Sequence, residues 1–213
     1  MRDSYYDQLD TIVDDLVALA GTVRGAVAES TTALLDADAR LAEAVIAGDA
    51  AIDEVTDGIE ERALLLLATQ QPVAGDLRQL VATLRMVGDL ERMGDLSAHV
   101  AKIARMRVPD PAVPSPLHPT IRSMAMVADS MIDAAARIVA NRDVVAAARL
   151  EDEDDEMDRL RKDLFRTILS DRWEHGVEPA IDLALLGRYY ERIGDHAVSM
   201  ARRVVYLVTG ELA

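Results

Sequence analysis

Apolar residues recur every three to four positions along most of the chain, which is the spacing of one face of an α-helix. In the first half this pattern predicts helices over about 3–35, 38–47, 50–69 and 72–106, with a break at Gly48 and with Pro72 in the first turn of the last helix. In the second half it predicts helices over about 121–140, 143–150, 152–169 and 179–208, with a break at Asn141–Arg142 and a turn over 170–178.

Five of the seven prolines lie between Pro109 and Pro119. Each proline inside a helix removes a backbone donor and clashes with the preceding turn, so this segment is not helical throughout. We therefore predict an all-α fold of two tandem, pseudo-symmetric three-helix bundles with spectrin-repeat-like packing. The predicted bundles are residues 1–107 and 120–213, and a proline-rich connection over 108–119 joins them.

Two acidic motifs occur once in each half. The sequence Glu-Arg-x-Gly-Asp at 91–95 returns at 191–195, 100 residues later, and the Asp-x-x-x-Asp at 49–53 returns at 154–158. Repetition of ordered motifs indicates an internal duplication. The glycine of each longer motif lies within a predicted helix, where it costs about 1 kcal/mol relative to alanine. Close approach of another helix, or room for a ligand, would explain it.

The acidic side chains of the two motifs are predicted to lie at the same level of each bundle. On each long helix, the Glu and Asp of the longer motif continue a row of apolar residues at helical spacing. Folding each half as an antiparallel hairpin gives the expected pairs: Asp53 with Glu91, Asp49 with Asp95, Asp158 with Glu191, and Asp154 with Asp195. Four carboxylates at one level repel one another, and their removal from water is costly without compensation.

Bound cations are one solution, because clusters of carboxylate oxygens suit Mg²⁺, Mn²⁺ or iron. Arginines are another, since Arg92, Arg188 and Arg192 lie near the acids and could neutralise them without metal. Spacing alone favours neither solution. His99 follows Asp95 by one further helical step and could add a nitrogen ligand, whereas the corresponding residue in the second half is Ser199.

Composition narrows the possible functions. Aromatic residues make up only 3% of a chain that is 50% hydrophobic, so the core is expected to be aliphatic. A net charge of −15 disfavours nucleic-acid binding and suits cations or basic partner surfaces. The absence of cysteine excludes disulfides and thiolate ligands. The longest apolar run, 63–68, is too short to span a bilayer, and residues 1–10 lack the apolar core of a signal peptide. We expect a cytoplasmic protein.

The chain resembles the PhoU family of bacterial phosphate-specific transport accessory and regulatory proteins. The resemblance lies in Asp49-x-x-x-Asp53 and in the segments 70–78 (QQPVAGDLR), 90–95 (LERMGD), 158–166 and 190–198 (YERIGDHAV). It implies two similar three-helix bundles. It also implies a negative regulator of phosphate uptake and of the phosphate-starvation response, which contacts a membrane sensor histidine kinase and the ATPase of the phosphate ABC transporter.

The same resemblance implies metal binding through the acidic motifs and a homodimer. The ion would be Mg, Mn, Fe or Zn, and the candidate ligands, with His99 added from its position, are Asp49, Asp53, Glu91, Asp95, His99, Asp154, Asp158, Glu191 and Asp195. The family often has asparagine where this chain has His99 and Ser199, so the two sites are expected to differ.

Two other interpretations remain open. One is a metal-free structural bundle whose acids are held by arginine. The other is a di-metal carboxylate enzyme, which typically has Glu-x-x-His pairs on its helices, and neither half has such a pair near the motif. The sequence contains no recognisable phosphate-cradling loop, nucleophile elbow or Ser/His/Asp arrangement, so we do not expect an enzyme.

Overall fold

The computed structural model describes residues 2–211, apart from the side chains of residues 2, 3, 152 and 153. Within this part of the chain every regular element is helical. The first three helices are α1 (Arg2–Asp36), α2 (Ala39–Gln70) and α3 (Ala74–Arg107). A short 3-10 helix at Ser115–Leu117 leads into α4 (His118–Asn141), α5 (Val144–Ile168) and α6 (Val177–Thr209).

The same backbone turn separates the first two helices of each half. Ala37 and Arg142 both adopt the left-handed conformation, each with φ of 52°. The next residue in each case caps the following helix: Asp38 accepts a hydrogen bond from the Leu41 amide at 2.9 Å, and Asp143 does so from the Ala146 amide at 2.9 Å. The predicted break at Asn141–Arg142 is confirmed, and the repeat extends to local geometry.

Other predicted boundaries are wrong. Gly48 does not end a helix, because α2 continues through it and keeps its buried side chains at helical spacing on both sides: Ala42, Val45, Ile52, Thr56, Ile59, Ala63 and Leu66. The break between 150 and 152 is absent from α5, whose core residues Leu150, Met157 and Leu164 recur every seven positions. Pro72 precedes α3 rather than opening it, and α6 begins two residues before Pro179.

Contacts between helices define two three-helix bundles that pack side by side. The first bundle comprises α1, α2 and α3, and the second comprises α4, α5 and α6. The bundles meet where α1 packs on α4 and α3 packs on α6, which leaves α2 and α5 on the outside. Helices α3 and α6 are antiparallel, because Arg107 late in α3 binds Asp182 early in α6, whereas Asp89 binds Arg203 late in α6. The predicted fold class is confirmed.

Aliphatic side chains fill one continuous core, and a few polar pairs cross between the bundles. Tyr190, fully buried in α6, shares a 2.7 Å hydrogen bond with Thr31 of α1, and burial raises the pKa of its phenol. Arg107 donates from Nε to the buried Asp182 at 2.6 Å. Buried polar groups are costly unless paired, so these pairs favour one register of the two bundles.

Candidate functional site: two acidic clusters

Helices α2 and α3 bring together four carboxylates, which we call the first acidic cluster (Asp49, Asp53, Glu91 and Asp95). Burial and the nearby carboxylates of Asp95 and Asp53 raise the pKa of Asp49. Burial also raises the pKa of Glu91, with further contributions from Asp95 and Asp53 and an opposing one from Arg92. The carboxylates therefore repel one another across the hairpin, as its predicted register implies.

The row that carries Glu91 and Asp95 is the half-exposed edge of α3 and not part of the core. Leu77, in the same row, is 42% exposed, and Val81 and Leu84 are only half-buried. The buried face of α3 lies beside this row and contains residues such as Leu90 and Met93. The acidic side chains can therefore be reached from solvent while part of their surface is desolvated.

The first acidic cluster has little positive charge to balance it. Arg92 contacts Asp95 at 2.8 Å, but the Arg92 side chain is 59% exposed. Within the described residues, Asp49, Asp53 and Glu91 form no ion pair with a basic side chain. Lys102 and His99 act on Asp49 only at longer range, where they lower its pKa slightly against the larger effects of burial and repulsion.

His99 lies beside the first acidic cluster, one turn after Asp95. Its Nδ1 is 2.7 Å from the backbone carbonyl of Asp95. A carbonyl oxygen only accepts, so Nδ1 carries the hydrogen and Nε2 keeps its lone pair in the neutral ring. A backbone hydrogen bond of this kind orients the ring of many metal-binding histidines. The ring also packs near Tyr189 of α6, with centroids 5.5 Å apart.

Helices α5 and α6 form the second acidic cluster (Asp154, Asp158, Glu191 and Asp195). Burial raises the pKa of Asp154, and the carboxylates of Asp195, Asp158 and Glu191 raise it further. Glu191 is only 8% exposed, whereas its counterpart Glu91 is half-buried. The second cluster is therefore as crowded as the first, and one of its carboxylates lies deeper.

Basic side chains hold the second acidic cluster. Arg188 pairs with Glu191, and Arg161 Nε approaches the same carboxylate at 3.4 Å. Arg161 Nε is buried without a hydrogen bond, so its contact with Glu191 is one of charge. Lys162 pairs with Asp158 at 3.0 Å. Three basic side chains thus offset the negative charge of the second acidic cluster, whereas the first cluster has little positive charge beside it.

The motif glycines lie where other helices approach closely, α2 at Gly94 and both α4 and α5 at Gly194. A Cβ added to Gly94 would lie 3.1 Å from Ile52 Cδ1 and 3.5 Å from Asp49 Oδ1. A Cβ added to Gly194 would lie 3.1 Å from Met131 Sδ and 3.4 Å from Asp154 Oδ1. The separations from Ile52 and Met131 are tighter than ordinary contacts, so close approach of a neighbouring helix accounts for both glycines.

The donor atoms of the first acidic cluster suit a hard or borderline divalent cation. They are four carboxylates, of which Asp49 and Glu91 have raised pKa values, and, in His99, one available imidazole nitrogen. The second cluster suits such an ion only if its pairs with Arg161, Lys162 and Arg188 open. In the described side chains, no three Asp, Glu or His groups converge closely enough to share one ion. Metal coordination by the nine candidate residues therefore stays a prediction.

Comparison with known proteins places the chain among its relatives. The family model for the PhoU domain matches it twice, over residues 16–104 and 121–204. The chain is 43% identical over 210 residues to phosphate-specific transport system accessory protein PhoU homolog 2 of Mycobacterium tuberculosis, covering 99% of both proteins. The chain belongs to the PhoU family. A further relative, the PhoU homolog of Rhizobium meliloti, is 30% identical over 99% of this chain and 89% of its own length.

Crystal structures of PhoU proteins share the fold. PhoU from Pseudomonas aeruginosa superposes with a TM-score of 0.85 at 29% identity, covering 97% of this chain and all of the other. The phosphate transport system regulatory protein PhoU from Streptococcus pneumoniae gives a TM-score of 0.89 at 24% identity, covering 98% and 99%. Among the described residues, no helix is long and apolar enough to cross a membrane. The predicted PhoU resemblance is confirmed.

The buried polar group formed by Asp89, His196 and Arg203 at the contact between the two PhoU repeats was not predicted from the sequence. Asp89 of α3 is 6% exposed and lies between His196 Nδ1 at 3.0 Å and Arg203 Nε at 2.9 Å, both on α6. His196 is half-buried within α6 and is not a loop residue. Asp89 falls in the buried row of α3 between Met86 and Met93. Its place in that row is the sequence signal that indicates a buried carboxylate.

Proposed function

We propose that this PhoU-family protein is a cytoplasmic negative regulator of phosphate uptake and of phosphate-starvation signalling. It acts by binding, as an adaptor between the ATPase of the phosphate ABC transporter and its sensor histidine kinase. The observation that carries this proposal is the match over 99% of both chains to relatives named as accessory proteins of the phosphate-specific transport system. A match over the full length supports transfer of a role that needs both repeats.

The placement of the acidic clusters supports a partner-binding role. Each lies between the outer helix of its bundle, α2 or α5, and the helix that packs against the other bundle, α3 or α6. Asp53 and Asp195 are exposed, so a partner can reach this surface. With a net charge of −15, the chain is suited to basic surfaces on those partners.

We further propose that a divalent metal ion binds the first acidic cluster through Asp49, Asp53, Glu91 and Asp95, with His99 beside them. A bound cation would offset the repulsion among these carboxylates and tie α2 to α3. The second acidic cluster, Asp154, Asp158, Glu191 and Asp195, would bind metal more weakly, because its basic neighbours compete for the same oxygens.

A metal-free structural role is the second candidate, and it applies to the second cluster in particular. Arg161, Lys162 and Arg188 already neutralise much of the charge there. In that case the cluster stabilises the α5–α6 hairpin without an ion. Stabilisation of the protein by added metal, compared between variants of the two clusters, separates the two roles.

Deletion in the organism that encodes the chain tests the regulatory proposal. In phosphate-rich medium, deletion should raise phosphate uptake and the expression of phosphate-starvation genes, and the wild-type chain should restore both. The chain should also co-purify with the transporter ATPase and the sensor kinase. Its molar mass from light scattering should be that of a homodimer. Unchanged uptake and unchanged gene expression after deletion would contradict the proposal.

A further inference from the structure

A basic groove runs between α3 and α6 near the end of the chain. We call it the arginine groove (Arg85, Ser199, Arg202, Arg203 and Tyr206). Its volume is about 170 Å³. The first of these residues lies on α3 and the other four on α6, so the groove spans the contact between the two repeats. Three arginines around so small a space contrast with a chain whose net charge is −15.

Much of the hydrogen-bonding capacity of these arginines is unused. The side chain of Arg85 has no ion pair or hydrogen bond to any described residue. Arg202 uses Nε to contact Glu151 at 2.8 Å, and Arg203 uses Nε to contact Asp89 at 2.9 Å. A guanidinium carries five N–H donors, so the terminal nitrogens of both side chains remain available. The hydroxyls of Ser199 and Tyr206 also have no partner within the described chain.

The fold itself does not require this basic cluster. The pseudo-equivalent positions, 100 residues away on the other helix of the pair, are His99, Lys102, Ile103, Met106 and Leu185. At that opposite end of the α3–α6 contact, Arg107 is matched by Glu178 at 2.7 Å and by Asp182 at 2.6 Å. Helix packing is therefore satisfied there by an arginine whose charge is balanced, whereas no carboxylate of the described residues pairs with Arg85.

The chemistry of the groove suits a small oxyanion. Guanidinium groups bind phosphate oxygens through paired, charge-assisted hydrogen bonds, and serine and tyrosine hydroxyls can donate to the same oxygens. The volume is below the roughly 300 Å³ typical of pockets for larger organic ligands. We propose that the arginine groove binds a phosphate group, either as inorganic phosphate or as the terminal phosphate of a nucleotide. Binding there would link the two repeats, because donors from α3 and α6 share the ligand.

Titration calorimetry on the purified full-length chain tests this proposal. Inorganic phosphate and ATP are titrated separately at constant ionic strength set with NaCl, with a chelator present so that metal at the acidic clusters cannot recruit the anion. Arg85→Gln should weaken binding by about tenfold or more. It should leave the thermal unfolding midpoint unchanged, because Arg85 has no partner to lose. Arg166→Gln, on an exposed part of α5, removes the same charge and should bind like the wild type.

Each result decides the proposal. Phosphate binding that Arg85→Gln weakens identifies the free ion as the ligand, and binding of ATP alone identifies a nucleotide phosphate. The absence of binding by either at millimolar concentration would overturn the proposal. Equal affinities for Arg85→Gln and Arg166→Gln would overturn it as well. Because the assay uses purified protein, its result is independent of the deletion phenotype that tests the regulatory role.

Discussion

The two acidic clusters occupy equivalent places in the two repeats, yet they are neutralised in different ways. The first has one surface arginine, Arg92, whose side chain is 59% exposed. The second has Arg161, Lys162 and Arg188 in contact with its carboxylates. A duplicated motif can thus keep its carboxylates while the surrounding charges change. The repulsion among the carboxylates of the first cluster has little local compensation, whereas the second cluster is largely held by its own side chains.

Removing the basic partners should expose this difference most strongly. The double variant Arg161→Ala/Arg188→Ala leaves Glu191, only 8% exposed, without compensation, and should lower the free energy of unfolding by about 3 kcal/mol. Arg92→Ala in the first cluster should cost less than about 1 kcal/mol, because that pair is exposed. Urea unfolding with a chelator present measures both. Equal losses would mean that the two clusters are not neutralised differently.

His99 should contribute to the metal affinity of the first acidic cluster. His99→Ala is expected to weaken binding of Mn²⁺ or Zn²⁺ by about tenfold, because it removes an imidazole that the Asp95 carbonyl holds in place. His175→Ala, which changes an exposed loop histidine, is the control and should leave the affinity unchanged. Metal titration followed by calorimetry gives both values. If His99→Ala binds as tightly as the control, His99 is not a ligand.

The motif glycines should differ in their tolerance of a methyl group. Gly94→Ala brings the new Cβ against Ile52, a β-branched side chain with little freedom to move, and should destabilise by about 1 kcal/mol. Gly194→Ala meets Met131, whose flexible side chain can yield, so helix propensity offsets the crowding and the change should be close to zero. Thermal unfolding of the metal-free variants distinguishes them, and a larger loss for Gly194→Ala would contradict this account.

Stability of the metal-free protein should fall as pH rises above the ordinary carboxyl range. The pKa values of Asp49, Glu91 and Asp154 are raised in the folded state, above ordinary values of 3.8 for Asp and 4.5 for Glu. Between the ordinary pKa and the raised pKa of each group, the folded protein therefore holds a proton that the unfolded chain has released. The free energy of unfolding falls as the pH rises through this range.

Neutral amides should remove part of this pH dependence. Asp49→Asn/Glu91→Gln should reduce the fall by on the order of 0.5 kcal/mol, since both side chains retain solvent contact. Asp154→Asn should reduce it less, because only one of the raised groups lies in the second cluster. Urea unfolding at several pH values with a chelator gives the slopes. A slope in Asp49→Asn/Glu91→Gln that matches the wild type would contradict the assignment.

Helical periodicity and motif spacing were sufficient to predict the fold and the position of both acidic clusters along the helices. The row of acids at 49, 53, 91 and 95 follows from helix geometry and a hairpin, both of which are local. The continuity of α2 through Gly48 was not predictable in the same way, because packing of Val45 and Ile52 outweighs the intrinsic cost of one glycine.

Contacts between the two repeats could not be predicted from the sequence. Asp89 meets His196 and Arg203 only because α3 and α6 run antiparallel across the bundle contact, which no local pattern encodes. The pairing of Arg161 with Glu191 lies within the second bundle, and it depends on how α5 packs on α6 rather than on the spacing of either motif. Long-range packing decides which charges remain available for a ligand.

We expect the first acidic cluster to be the stronger metal site of the two. The direct measurement is the gain in unfolding free energy on adding Mn²⁺ at about 100 times the dissociation constant, compared between Asp49→Asn/Glu91→Gln and Asp154→Asn/Glu191→Gln. The wild type should gain about 2.7 kcal/mol, the second-cluster variant should keep most of that gain, and the first-cluster variant should lose it. Loss of the gain in the second-cluster variant alone, or no gain in the wild type, would contradict the claim.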